Sequence, residues 1–311
     1  MATRTILSRA GLLMALAILL HPAPAGGSVA LDPYQGLGAW IDIYDEPAWR
    51  HPEQVIRGLG DRGVGTLFLQ TCNYGCPEAL YRPVSMARLI RAAHARDIRV
   101  VAWYLPGLDN PRRDLRRSLA AIRFRTWEGQ GFDSFALDIE ARLVEPPWIR
   151  NRRLIALSRR IRTAAGEEHP LGAITPPWFY DWPNFPYRAL ARSYDVFLPM
   201  NYFLEAGPVG ARVHTVRNIR LIRQATGVHE IPIHPIGGVA DNLTPKQTRA
   251  VVRAARSQGV MGTSLYDVFT SGGGDWRALR TVGGVQPSSP PVRFSVGPGR
   301  LWPFGGPALY P

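Results

Sequence analysis

Eight short runs, apolar throughout or alternating apolar with polar and rich in β-branched and aromatic residues, punctuate this chain at 39–44, 66–71, 99–105, 132–140, 171–176, 196–203, 231–237 and 260–266. Between them lie stretches such as 52–59, 85–94 and 244–255, where apolar residues recur every three or four positions. The first spacing predicts strands and the second predicts helices. Thr244 followed by Pro245 reads as a helix N-cap with proline at the first helical position. Strict strand-then-helix alternation implies parallel strands. An open doubly wound sheet has the same alternation, but its nucleotide site needs a glycine-rich turn after the first strand, and none is present. The pattern therefore predicts a closed (β/α)8 TIM barrel, α/β in class, as a single domain over residues 31–282, close to the roughly 250 residues such a barrel requires.

Both ends of the chain depart from this pattern. Arg4 and Arg9 precede an apolar run at 12–20 and then small residues up to Ala25 or Ala30, which predicts a secretory signal over 1–30. The run is shorter than the ~20 residues of a spanning helix. An uncleaved leader acting as an anchor is the alternative. After cleavage no stable membrane insertion is expected, and the protein is expected to be secreted: extracellular, wall-associated or periplasmic. Residues 283–311 turn rich in Pro, Gly and Ser, as an extended wrap or a disordered tail does. In an oxidising compartment Cys72 and Cys76 predict a disulfide-closed loop, because two thiols without a histidine cluster do not complete a zinc shell. Neither a metal nor an organic cofactor is expected.

The formal charge of +13 raises the question of a polyanionic partner. Its basic residues, almost all arginine, fall on predicted helix faces, as at 112–117 and 152–162. A solvated exterior accounts for them first, attraction to anionic cell-surface polymers is the second reading, and no nucleic-acid partner is expected.

Chemistry concentrates on the fourth strand, Asp133-Ser-Phe-Ala-Leu-Asp138-Ile-Glu140. Side chains two apart share a strand face, so Ala136, Asp138 and Glu140 point one way and Phe135, Leu137 and Ile139 the other. The greasy face belongs beneath the helices, which turns the acidic face into the lumen with Glu140 at the mouth, where barrels keep their reactive groups. Desolvation there favours the protonated carboxyl, as a general acid requires. A salt bridge from Glu140 to Arg142 is the structural alternative.

This strand resembles the Asp-Gly-x-Asp-x-Asp-x-Glu signature of the family-18 glycoside hydrolases, the chitinase superfamily, and Leu198-Pro-Met200-Asn201-Tyr202 resembles that family's Met-x-Tyr strand. The resemblance implies that Glu140 protonates the glycosidic oxygen. It implies that Asp138 holds an N-acetyl group whose carbonyl attacks the anomeric carbon, and that Tyr202 hydrogen-bonds that group. This is substrate-assisted hydrolysis rather than the usual two-carboxylate scheme. Three positions depart from the family pattern: Ser134 stands for its Gly, Ala136 for its middle Asp and Phe203 for the Asp after its Tyr.

Further candidates for the mouth follow from strand position. On the first strand Asp42 and Tyr44 alternate with isoleucines, and Tyr104, His234 and Tyr266 occupy strands three, seven and eight. Trp178 and Trp182 follow strand five, where an indole face stacks on a sugar ring. Each also has a packing or hydrogen-bonding reading: a structural bond for Asp42, a core position for His234, packing under loops for the tryptophans. The expected function is hydrolysis of an N-acetylated β-linked oligo- or polysaccharide. One alternative is a non-catalytic carbohydrate-binding barrel, to which Ala136 and Phe203 point. The other is a glycosidase acting on sugars without an acetamido group, with Asp42 or Asp138 as protein nucleophile.

Overall fold

The computed structural model describes residues 29–177, 180, 182–202, 207–239 and 243–282. The expected signal segment, apart from Val29 and Ala30, and the tail 283–311 lie outside the described residues. Strands β1 (Gly36–Ile41), β2 (Thr66–Asn73), β3 (Arg99–Leu105), β4 (Ser134–Asp138), β5 (Leu171–Thr175), β6 (Val196–Pro199), β7 (Ile236–Val239) and β8 (Gly262–Tyr266) form one parallel sheet in the order β6-β5-β4-β3-β2-β1-β8-β7. Parallel bridges from Phe197 to Ile233 and from Met200 to Ile236 join the two ends. The sheet is a closed barrel, as the alternation predicts.

The strand-seven segment differs from expectation. The run 231–237 was expected to be the strand, but the continuous strand begins at Ile236. Pro232 and Pro235 lack the N–H a ladder needs. The preceding residues still bond sideways, Phe197 N to the Pro232 carbonyl and His234 N to the Phe197 carbonyl.

The helices are α1 (Glu46–Arg50), α2 (Pro52–Asp61), α3 (Pro83–His94), α4 (Pro111–Arg123), α5 (Pro147–Ala165), α6 (Tyr187–Leu190), α7 (Pro208–Thr226), α8 (Pro245–Ser257) and α9 (Gly273–Leu279). Proline opens most of them, at the position where a helix has no use for an N–H. The Asn110 side chain accepts from Arg113 N, and Thr244 with Gln247 forms a reciprocal capping box on α8. Among the described residues no helix is long and apolar enough to cross a membrane.

Two apolar layers result. Phe135, Leu137, Ile139, Ile41 and Phe197 belong to the layer between sheet and helices. Trp40, Phe68, Trp103, Ala136, Leu198 and Met200 fill the lumen, where Trp40 stacks on Phe68 at 4.2 Å and meets the edge of Trp103 at 5.8 Å. Each such burial contributes roughly 1.5–3 kcal/mol. Val29, Leu31 and Tyr34 close the lumen at the strands' amino ends, where the Tyr34 hydroxyl bonds Ser134 Oγ at 2.6 Å. Gly38 is required there: a Cβ would sit 2.6 Å from Phe68 and 3.1 Å from His234. The lumen is packed solid, which leaves chemistry to its open end.

Candidate active site

Because every strand is parallel, all carboxyl ends meet at one mouth, and strand parity decides what enters it. Ala136 lies in the lumen cluster and its neighbours Phe135 and Leu137 in the helix-facing one. Asp138 closes β4 on the Ala136 face, buried to 5% exposure, and its Oδ1 has no hydrogen-bond partner. Glu140 stands two residues on, partly exposed. Burial raises the pKa of Asp138 well above the ordinary carboxylate range, and the neighbouring Glu140 charge adds to it. Burial likewise raises Glu140. The two interact, so they titrate as a pair rather than as independent acids.

The opposite wall comes from β6 and β8. Met200 is buried in the lumen cluster, and Tyr202 packs against that cluster. The Tyr202 phenol is raised far above its usual range by burial, and the charges of Glu140, Asp138 and Asp267 add to this. Tyr266, the last residue of β8, donates its hydroxyl in a short bond to Asp42 Oδ2. Asp42 Oδ1 accepts from the backbone N–H groups of Tyr44 at 2.7 Å and Asp45 at 3.1 Å. Asp138, Glu140, Tyr202, Met200, Asp42 and Tyr266 thus meet at the mouth.

Other expected residues do not. Tyr104 belongs to the helix-facing layer, where its hydroxyl donates to Asp114 Oδ1 on α4 at 2.7 Å; odd-even parity on β3 gives the lumen to Trp103 instead. Asn201 falls between Met200 and Tyr202 and turns outward, accepting from Asn218 of α7 at 2.6 Å. His234 lies deep near the barrel floor. Its Nδ1 faces the Tyr34 carbonyl at 2.8 Å, so that nitrogen carries the proton, and Nε2 meets Ser264 Oγ at 3.1 Å. Burial lowers its pKa to about 4. A neutral, doubly bonded imidazole away from the mouth transfers no proton there, and the core reading of His234 is the one its surroundings support. Trp182 is buried under the loop after β5, donating to Asn151 Oδ1 at 2.6 Å with Arg150 over its ring at 4.2 Å. Trp178 lies outside the described residues, as does Phe203. Tyr44 sits on the rim, 73% exposed, its hydroxyl accepting from Asn73 Nδ2 at 3.1 Å.

For Glu140 the salt-bridge alternative does not form: no ion pair to it exists among the described residues, and Arg142 instead lies over the ring of Tyr180 at 4.5 Å. Asp133, the first acid of the motif, points away from the lumen. There it accepts from His94 Nε2 at 2.9 Å and Val100 N at 2.7 Å, tying α3 to β3.

Two acids escaped the sequence reading. Asp45 and Asp267 bring carboxylate oxygens within 4.8 Å of one another and of Asp42. Burial, with Asp42 and Asp267 nearby, raises Asp45 to about 7. Asp45 lies in the loop after β1 and Asp267 follows the last residue of β8, on the parity that a regular strand would turn outward. Their only sequence signal is position at a strand's carboxyl end. Cys72 and Cys76 form the expected disulfide, in the loop after β2.

No family model and no curated protein matches the sequence. Solved structures do match. The endo-β-1,4-mannanase of Thermotoga petrophila superposes with a TM-score of 0.62 at 10% identity, over 82% of this chain and 77% of that one. A chitinase from Bacteroides thetaiotaomicron gives 0.60 at 10% identity, over 82% and 96%. The chain shares the (β/α)8 barrel fold of these enzymes. A plant class V chitinase from Cycas revoluta, solved as a mutant in complex with (GlcNAc)3, superposes at 0.58 with 12% identity over 80% of this chain and 99% of that one.

Proposed function

We propose that this barrel is a secreted glycoside hydrolase that cleaves an N-acetylated β-linked glycan at the mouth of β4, β6 and β8. The carrying observation is the pair of lumen-facing acids, one buried with an unpartnered carboxylate oxygen and one partly exposed with a raised pKa. In this reading Glu140 is the general acid: it holds its proton into the pH range where an ordinary glutamate has lost it, and gives it to the departing glycosidic oxygen. The substrate's acetamido carbonyl oxygen attacks the anomeric carbon as that bond breaks. The Asp138 carboxyl accepts the acetamido N–H, and Tyr202, whose phenol stays protonated, donates to the acetamido carbonyl. Water then opens the cyclic intermediate, with Glu140 as the base, and configuration is retained.

The state of Asp42 argues against Asp42 as a protein nucleophile. Both Asp42 oxygens are engaged, by Tyr266 and by two backbone N–H groups, whereas the buried Asp138 Oδ1 has no hydrogen-bond partner. The chitinase neighbours, one of them solved with (GlcNAc)3, point to the same substrate class.

Release of reducing ends from soluble N-acetyl-chitooligosaccharides and from peptidoglycan tests the reading. Turnover by the wild type, reduced about 10²–10⁴-fold in Glu140→Gln, is expected for loss of a general acid. Equal turnover by the two proteins removes Glu140 from its role. Binding without any cleavage identifies a barrel that has kept the cleft and lost the chemistry, the outcome to which Ala136 in place of the family's middle acid would lead.

A further inference from the structure

Apolar side chains left exposed on a protein ordinarily stand singly and scattered. Here they gather at one end of the barrel. Among the described residues, every large apolar side chain left exposed except Trp127 lies in a loop, or in the first two helical turns, after a strand's carboxyl end, and so on the side of the mouth. Trp127 is at the opposite end, in the loop that leads from α4 into β4. Three of those at the mouth, Tyr44, Tyr74 and Leu143, are joined into one strip that crosses four consecutive loops. Tyr44, after β1, accepts from Asn73 Nδ2 at the end of β2 at 3.1 Å. Tyr74 follows Asn73 in the loop after β2. Gly107, in the loop after β3, has no side chain to hold Tyr74 and Leu143 apart: a Cβ there would sit 3.0 Å from Tyr74 Cβ and 3.1 Å from Leu143 Cδ1. Leu143 belongs to the loop after β4, three residues past Glu140, so their Cα atoms are at most about 11 Å apart.

Four neighbouring strands span three inter-strand spacings, roughly 14 Å along the rim, a reach that exceeds a single sugar ring. The loops that carry the strip are held from beneath. Buried Arg117 of α4 donates to the carbonyls of Asn73 at 2.8 Å, of Tyr74 at 3.0 Å and of Cys76. Arg153 of α5 donates to the carbonyls of Leu108 at 2.9 Å and Asp109 at 3.2 Å. A surface fixed before its ligand arrives loses little conformational freedom on binding. Asp109, paired with Arg113, stands beside Gly107 and gives the strip a polar edge. Aromatic and aliphatic faces with a polar edge complement a sugar, whose ring face is apolar and whose rim carries hydroxyls.

We infer that the strip of Tyr44, Tyr74 and Leu143 is a glycan-binding surface that carries a long chain away from the acids over the β1–β4 side of the mouth, and that the substrate is a polymer or long oligosaccharide rather than a di- or trisaccharide. Tyr44 and Tyr74 offer ring faces to successive sugars, and Leu143 fills the step between them and Glu140. Continuity with the mouth identifies the occupant as the same chain that meets Glu140, and to that extent the inference rests on the proposed function. A short oligosaccharide held at the acids alone does not reach the tyrosines.

The ratio of kcat/KM for N-acetyl-chitohexaose to that for N-acetyl-chitotriose tests the inference in the whole protein. The wild type is expected to favour the hexasaccharide by about tenfold or more, and the combined Tyr44→Ala and Tyr74→Ala variant to lose about tenfold of that preference, chiefly through KM for the longer chain, as two stacked rings allow. Tyr44→Phe with Tyr74→Phe, which keeps both ring faces, is expected to stay within about twofold of the wild-type ratio. Trp127→Ala, which removes the most exposed aromatic from the far end of the barrel, leaves the ratio as it is. An unchanged ratio in the double alanine variant, or an equal loss in Trp127→Ala, overturns the inference. Self-association of the wild type that the double alanine variant abolishes, with no preference for chain length, also overturns it and assigns the strip to a second copy of the chain. Absence of turnover of either oligosaccharide counts against the hydrolase reading, and hexasaccharide affinity measured by calorimetry then decides the strip by itself: binding about tenfold weaker in the double alanine variant supports it, and equal binding overturns it.

Discussion

Asp138 is the residue where stability and the proposed function pull apart. A buried carboxylate with an open oxygen costs free energy when ionised, and nothing in the described structure compensates it. Its folded-state pKa lies above its unfolded one, so the native state holds the proton more tightly than the unfolded chain does. Stability is then greatest below the unfolded pKa, near 4, and falls as pH rises toward the raised folded value. Asp138→Asn is expected to raise Tm relative to wild type at pH 8, by on the order of 2–4 °C for each kcal/mol recovered. The gain should shrink toward nothing at pH 4, as thermal unfolding at the two pH values would show. A loss of stability at pH 8 would mean that the carboxylate has a partner. Asp138 and Glu140 were legible in the sequence because alternation on a half-greasy strand fixes a face. Tyr104 and Asn201 were misplaced although the same rule applies to them: Trp103 and Tyr202 hold the inward parity on their strands. His234 has the inward face but the wrong depth, and depth along a strand depends on register with its neighbours, which one sequence does not supply.

At the scale of elements, the loop after β2 illustrates how a short segment is fixed near the mouth. The Cys72–Cys76 disulfide closes it, and Arg117 of α4 donates to the carbonyl of Asn73 at 2.8 Å and to those of Tyr74 and Cys76. Closing so short a loop stabilises the fold by roughly 2 kcal/mol on chain-entropy grounds. Replacing both cysteines with serine is expected to lower stability by that amount in urea titration while turnover of a soluble oligosaccharide changes little, because neither sulfur faces the acids. A loss of turnover without loss of stability would give the loop a direct part in binding. Pairing was readable from two cysteines in a chain whose N-terminus reads as a secretory signal, but the clamp by Arg117 was not, because it depends on where α4 packs. Strand seven was misjudged at its start for a local reason, its prolines, and those were visible in the sequence. The cluster of Asp42, Asp45 and Asp267 was hidden for the opposite reason: it joins the first and last strands, which only barrel closure makes neighbours.

At the scale of the molecule, the barrel is a filled cylinder with one working end. Tyr34 and its neighbours seal the floor, the stacked Trp40 and Phe68 fill the middle, and the acids remain at the top, where the strands stop and water enters. The alternation of strands and helices made that architecture readable without any relative of recognisable sequence, and the superposition on chitinases and a mannanase at about one residue in ten identical agrees with it. The substrate is the step that fold does not give. A crystal structure of Glu140→Gln soaked with an N-acetylated oligosaccharide tests it most directly. The account predicts a sugar across the mouth, with a glycosidic oxygen within hydrogen-bond reach of the side chain at position 140 and the acetamido N–H on the Asp138 carboxyl. A sugar bound elsewhere on the barrel, or one whose acetamido group turns away from Asp138, contradicts it.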